Sequence, residues 1–294
     1  MALLRNPERA WSAAVTPATI DRAEVERRIG PTTGPLEVLA GGFASVNVRV
    51  GSDRVLRIKG DPVTVAKERT LLTRGWRSLR TPAVLAAGDD FLVLEQLPLA
   101  PLVDTPAAGA AVGRALAEIH AIRYPEMGLL AGDLSIAAPI PDDEGIGGYV
   151  RAMLREAEPF VDPALPPRIR AHLVAVEDAA RAAMDGPVLV HCDFKVGNLH
   201  LLPSGELVVL DWEFAWAGPR LFDVGQLLRW QPPEPFVRAF ADAYVAAGGV
   251  LADGWRRIAA AIDVGNMLAV FAHNPVMRTS DEIPRRIVAT LDAG

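Results

Sequence analysis

Apolar and polar positions alternate along LEVLA, VNVRV and VLRIK, residues 36–40, 46–50 and 55–59, with GGFAS and GSD between them. A period of two broken by glycine-bearing turns predicts strand, glycine loop, strand, tight turn, strand, which is an antiparallel meander. Ahead of it a helix is expected from Pro17, which suits a first turn, to Gly30. Behind it TVAKERTLLTRG carries Val65, Leu71 and Leu72 at helical spacing, and FLVLEQLPL reads as a buried strand entering a connector that ends at Pro98. From there the period is mostly helical, over 107–122, roughly 147–158, 166–185, 234–247 and 255–273. Between Pro125 and Gly148 a segment rich in proline, glycine and acid breaks the pattern, too long for an ordinary connection. It reads equally as a cover for a site and as a surface excursion.

In the second half VLV reads as a strand entering HCDFKVGN, and LHLL and LVVL flank a Pro-Ser-Gly-Glu turn. A two-residue loop at Ser204 and Gly205 would set Asn198 opposite Asp211, with Cα atoms about 4.5–5.5 Å apart. A carboxylate and an amide oxygen on one hairpin face suit a hard cation such as Mg²⁺ that shares its other positions with water or phosphate. Asp193, in the loop just upstream, could orient a hydroxyl and accept its proton.

Composition narrows the class. A chain of 294 residues is comfortable for two lobes. No apolar run reaches the roughly 20 residues that span a bilayer, and MALLRNPERAW has no apolar stretch of signal-peptide length. Cys192 is the only cysteine. These readings predict a soluble protein of the reducing cytoplasm with no membrane partner. A net charge of -6 with no basic stripe argues against nucleic acid and permits a cationic small molecule.

His191, Asp193, Asn198 and Asp211 follow the H-x-D-x-x-x-x-N pattern and downstream aspartate of kinases. The longer run LVHCDFKVGNLHL…LVVLDWEFAWAGPRLFDVGQLLR resembles the aminoglycoside phosphotransferase family, also called the phosphotransferase enzyme family, with its choline-kinase-like members. The resemblance spans Gly41 to at least Arg229. It implies an α+β, bilobal protein-kinase-like fold: an N-lobe over 1–97 with its hinge at 95–97, and a mostly helical C-lobe over 98–294. It further implies an ATP- and Mg²⁺-dependent enzyme that phosphorylates a hydroxyl of a small-molecule acceptor. Asp193 is then the base, Asn198 and Asp211 hold Mg²⁺, His191 braces the loop and Asp223 is structural. Gly41, Gly42 and Ser45 would face the phosphates, and the backbone from Glu95 to Leu97 the adenine edge. Of the two cations on the third strand, Lys59 as phosphate contact would press Arg57 on adenine, whereas Arg57 presents Val55. Arg57 is preferred, with Glu68 as its ion-pair partner. Lys195 is expected to help neutralise the transferred group. His200 either lies beneath the purine or touches solvent. Cys192 and His120 read as packed side chains.

Gly218 and Pro219 follow Asp211 almost at once and no A-P-E occurs, so there is no room for a protein kinase's activation segment. A nucleotide-binding scaffold without turnover is the other class, opposed by the intact base and metal pair. Acceptor-binding candidates are the acids Asp142, Asp143, Glu144, Glu213, Glu234, Asp281 and Glu282, or the aromatics Trp216, Trp230, Trp255 and Phe271. The acceptor's identity and the oligomeric state are not written in the sequence.

Overall fold

The computed structural model describes residues 2–8, 20–39, 45–140, 145–183 and 185–293. Gly41, Gly42, Asp142, Asp143 and Glu144 lie outside them. The expected meander is present as β1 (Leu36–Leu39), β2 (Val46–Val50) and β3 (Arg54–Ile58). With β4 (Val84–Ala87) and β5 (Phe91–Glu95) these strands form one antiparallel sheet ordered β1-β2-β3-β5-β4. Val48, Val50, Leu56 and Val93 bury one face of it against Val25 of α1 (Arg22–Ile29). That helix starts later than the Pro17 expectation. Asp21 is extended and its side chain accepts from the Glu24 N–H, so it acts as the N-cap and stops the helix from extending backwards. On the sheet's other side, α2 (Pro62–Leu72) is capped by Asp61 and contributes Val65, Leu71 and Leu72 to the main core.

After the two-residue strand β6 (Ala100–Pro101) the large lobe begins with α3 (Pro106–His120). The segment 125–148 is more regular than its composition suggests. It contains β7 (Gly128–Leu130) and β8 (Ile136–Pro139), an antiparallel pair that joins β9 (Val188–Val190) and β12 (Trp216–Gly218) in a four-stranded sheet. Between those last two strands run β10 (Leu199–Leu201) and β11 (Leu207–Val209), and β10 pairs on one side with β11 and on the other with β6. The helices α4 (Gly145–Ala157), α5 (Leu165–Ala182), α7 (Glu234–Ala246) and α8 (Trp255–His273) fall where the period placed them. The pattern did not give α6 (Leu221–Leu228) or α9 (Glu282–Asp292).

Two cores hold this lobe. One joins α3, α6 and α7 to the strands. The other packs Val150, Leu154, Ile169, Leu173, Leu268 and Ile287 of α4, α5, α8 and α9. Helices α3 and α7 touch backbone to backbone. A Cβ on Gly113 would lie 2.3 Å from the Phe240 carbonyl oxygen, so glycine is needed there for close approach. Among the described residues no helix is long and apolar enough to cross a membrane.

Candidate active site

Strand β9 delivers His191 into the middle of the molecule, fully buried. Its N–H bonds Asp223 Oδ2 at 2.8 Å, its Nε2 lies 2.9 Å from the Leu210 carbonyl, and the Asp193 N–H points at Nδ1 at 3.2 Å. That set fixes the neutral ring with its proton on Nε2, and burial pushes the imidazole below its ordinary range. Cys192 takes a left-handed conformation (φ 63°), which lets its own N–H reach Asp223 Oδ1 at 2.8 Å. Asp223, on the first turn of α6, therefore ties down two consecutive amides of the loop. His120 completes the brace. Its Nε2 lies 3.1 Å from Asp223 Oδ2 and its Nδ1 2.8 Å from the Tyr244 hydroxyl, so it does more than pack. The Cys192 thiol, pushed up to about 12 by burial, stays protonated and structural.

The next residues of the loop turn toward open space. Asn198 spends its amide nitrogen on the Asp193 carbonyl (2.9 Å) and on Asp193 Oδ2 (2.7 Å), leaving Oδ1 as its acceptor atom. Lys195 Nζ stands 3.0 Å from Asp193 Oδ1. The hairpin after Asn198 differs from expectation by one residue. Leu199 pairs with Val209 and Leu201 with Leu207, so Pro203, Ser204 and Gly205 make a three-residue loop with Gly205 at φ 86°. Leu210, rather than Asp211, then lies across from Asn198, its N–H bonded to the Asn198 carbonyl at 3.0 Å. Asp211 comes one step later, in a left-handed conformation (φ 64°, ψ 59°), and lines the same cleft as Asn198.

From the sheet above, Arg57 reaches down and donates to Asp211 Oδ1, and Lys59 donates to Glu213. Glu68 on α2 sits between the two cations, 3.2 Å from Arg57 Nε and 3.5 Å from Lys59 Nζ. The expected Arg57–Glu68 pair is thus present, and Lys59 shares it. Arg57 lines the cleft, whereas Lys59 is not among the lining residues. Burial pushes the Glu68 carboxyl up against the pull of both cations. For Asp211 burial also acts upward, but Arg57 outweighs it and the net shift is downward.

The cleft encloses about 1040 Å³. Val55, Leu94, Leu97, His200 and Leu210 line its inner end. His200 is half-buried, with Nε2 3.0 Å from the Gly197 carbonyl. In the segment expected to form the hinge, two of the three amides are committed within the protein. The N–H groups of Glu95 and Gln96 already serve the Ala83 and Asp53 carbonyls, both at 2.9 Å, and the Leu97 N–H has no hydrogen-bond partner among the described residues. Ser45 accepts from Asn47 at 3.4 Å, and it is Asn47 that lines the cleft.

The outer end is lined by Tyr149, Asn266, Val270, His273 and Met277 from α4, α8 and the turn after it, and by Asn6 and Glu8. Of the acidic candidates among the described residues only Glu213 lines the cleft. Glu234 and Asp281 pair with Arg256 and Arg285 at the surface, and Glu282 with Arg5. None of Trp216, Trp230, Trp255 and Phe271 lines it either; Tyr149 and Phe214 are its aromatics. Glu8, Tyr149, Arg229, Asp263 and Asn266 were not anticipated. Asp263 and Asn266 had left one signal, two polar residues three apart in the apolar run AAAIDVGNMLAVFA.

The same architecture recurs in solved structures of low sequence identity. The macrolide 2'-phosphotransferase MphH from Brachybacterium faecium superposes with a TM-score of 0.64 at 18% identity, covering 92% of this chain and 97% of that one. The APH(2")-IIIa complex with GDP and kanamycin gives 0.68 at 17% identity, covering 88% and 92%. A putative fructosamine-3-kinase from Thermobifida fusca gives 0.65 at 20%, covering 92% and 98%. No curated protein matches the sequence significantly. The family model described as the phosphotransferase enzyme family matches residues 35–261, from the first strand through the loop at 191–198 and α6 into α8. The chain belongs to the phosphotransferase enzyme family and has the bilobal protein-kinase-like fold.

Proposed function

We propose that the chain moves the γ-phosphoryl group of ATP to a hydroxyl of a small, weakly charged acceptor, with Mg²⁺ and with Asp193 as the base. The observation that carries the reading is the convergence of Asp193, Asn198, Asp211 and Arg57 at one point of a single cleft. The donor set fits Mg²⁺: a carboxylate from Asp211 and the Asn198 Oδ1 that its own hydrogen bonds leave as acceptor. Among the described residues no group of three or more His, Cys, Asp or Glu gathers into a metal cage, in keeping with a cation shared with a polyphosphate. When bound, Mg²⁺ would offset the charge on the phosphate oxygens. Val55, Leu94 and Leu210 give an apolar slot for a purine, and Arg57 brings a guanidinium to its phosphate end. Asp193, held by Asn198 on one oxygen, orients the acceptor hydroxyl and takes its proton as the phosphoryl group transfers.

The acceptor's character follows from the outer end of the cleft. Among the described residues its carboxylates, Glu8 and Asp193, are already paired with Lys195 and Arg229, and the rest of the described wall is tyrosine, amide, histidine and apolar side chains. Such a wall suits a neutral or singly charged hydroxylated compound better than a polycation. The test is Mg²⁺-dependent ATP consumption across macrolides, aminoglycosides, choline, homoserine and sugar amines. Asp193→Asn should reduce kcat by about a thousandfold and leave nucleotide KM within severalfold. Wild-type turnover in that variant would reject Asp193 as base. Preferred turnover of aminoglycosides over every neutral acceptor would reject the acceptor class.

A further inference from the structure

Residues 2–8 run over the large lobe and end at the catalytic loop. An antiparallel bridge between Leu3 and Val103, the Leu4 N–H on the Leu102 carbonyl (3.3 Å) and an Arg5–Glu282 ion pair of 2.6 Å pin this strap. At its end Glu8 is only 6% exposed, and its two oxygens have different partners. Oε1 accepts from Arg229 Nη1 and from Trp230 Nε1, both at 3.0 Å. Oε2 stands 3.1 Å from Lys195 Nζ, the same ammonium that lies 3.0 Å from Asp193 Oδ1. Anchoring the strap requires only Oε1. The second oxygen gives Lys195 another anion.

We infer that Glu8 is a positioning residue for phosphoryl transfer, acting through Lys195, and that the N-terminal strap is part of the catalytic centre. The inference rests on the reading of Asp193 as base. A lysine ammonium is a compact point charge on a flexible stem and settles on whatever anions surround it. Asp193 Oδ2 is already occupied by Asn198. With no second anion, Lys195 would close entirely on Oδ1, the oxygen left for the acceptor hydroxyl. Glu8 shares the ammonium, which stands 3.1 Å from its Oε2 and 3.0 Å from Asp193 Oδ1, so that Lys195 does not settle wholly on the oxygen that faces the acceptor. Arg229, clamped by Asp263 at 2.9 and 2.7 Å, keeps Glu8 in place from behind.

The test compares wild type with Glu8→Gln, Glu8→Asp, Lys195→Ala and the Glu8→Gln/Lys195→Ala double variant. It reads Mg²⁺-ATP turnover, thermal unfolding, and acetylation of Lys195 by an N-hydroxysuccinimide ester through peptide mass mapping, with Lys59 and Lys67 as internal references. Glu8→Gln should lower kcat by about tenfold to a hundredfold with KM for Mg²⁺-ATP within about twofold, and Glu8→Asp should regain part of it. Lys195 acetylation should rise about tenfold once one of its two anions is gone. On the Lys195→Ala background the Glu8 change should move kcat by less than about twofold. An equal kcat loss on both backgrounds, or unchanged Lys195 acetylation, overturns the inference and leaves Glu8 an anchor. Wild-type turnover by Asp193→Asn would instead reject the base reading beneath it. If the wild type turns over no ATP, the acetylation rates alone decide whether Glu8 positions Lys195.

Discussion

Under the five-stranded sheet the cleft is lined by Arg57, Glu68, Asp211 and Glu213, tied into one ion-pair network with Lys59 outside the lining, while under α4 and α8 it presents Tyr149, Asn266, Val270 and Met277. The first half is neutralised from within. A polyanion entering there exchanges partners with Asp211 and Glu213 rather than meeting bare cations, so its binding reads the difference between two sets of ion pairs. The second half has few charges to exchange and discriminates by shape and by a small number of neutral hydrogen bonds. Under the proposed function one half would recognise a chemistry common to all reactions of this type, and the other an acceptor particular to this chain.

Four experiments sharpen the contrast. The largest expected effect lies behind both halves, at Asp223. Alanine there strands the His191 and Cys192 amides and leaves His120 without its carboxylate. Urea unfolding should show a loss of about 3–5 kcal/mol, and a loss below about 1 kcal/mol would mean the brace is dispensable.

Acid comes second. Burial alone would raise the Glu8 carboxyl, but Lys195, Arg229 and Trp230 hold it at about 2, against 4.5 unfolded. Its contribution, roughly 3 kcal/mol, is complete above about pH 4.5 and is lost as pH falls toward 2. His120 and His191, kept neutral by burial, act with the same sign from a higher pH, because the unfolded chain takes up protons below about 6.5 that the folded one refuses. Unfolding free energy should therefore decline steadily from pH 7 to pH 3, and a flat profile would contradict both assignments.

Third, Arg57→Ala should raise nucleotide KM about tenfold to a hundredfold, the worth of one or two charge-assisted hydrogen bonds. Lys59→Ala, outside the cleft lining, should raise it less, and steady-state kinetics that reverse the order would exchange their roles.

Smallest is Tyr149→Phe. It removes the 2.8 Å bond to Asn266 and should change acceptor KM by about fivefold while nucleotide KM stays constant. A change in nucleotide KM instead would show that the two halves are coupled.

The two halves were unequally legible. Asp193, Asn198, Asp211 and Asp223 lie within one stretch of 31 residues. A short loop and a hairpin can bring them together whatever the rest of the chain does. Arg57 and Glu68 were singled out through the family resemblance on elements with a clear period; strand alternation puts Arg57 and Lys59 on one face, and the kinase pattern at the residue two before preferred Arg57. The outer wall escaped because its members come from α4, α8 and residues 2–8. Arg229 and Glu8 are 221 positions apart, and no local pattern encodes a pairing closed by tertiary packing. Acidic residues near the C-terminus looked available for an acceptor only because a sequence does not show that Glu234, Asp281 and Glu282 point at surface arginines.

By itself the sequence determined the elements, the order in which they occur and the chemistry of one loop, since periodicity, caps and short-range spacing are local properties of the chain. Only the tertiary structure decided the hairpin register, where a third loop residue, Pro203, moved Asp211 one step past Asn198. It alone placed Lys59 outside the cleft lining and left the Leu97 amide without a partner among the described residues. The meeting of Glu8 with Lys195 was likewise its decision, because a buried carboxylate acquires partners only when packing has excluded water from around it.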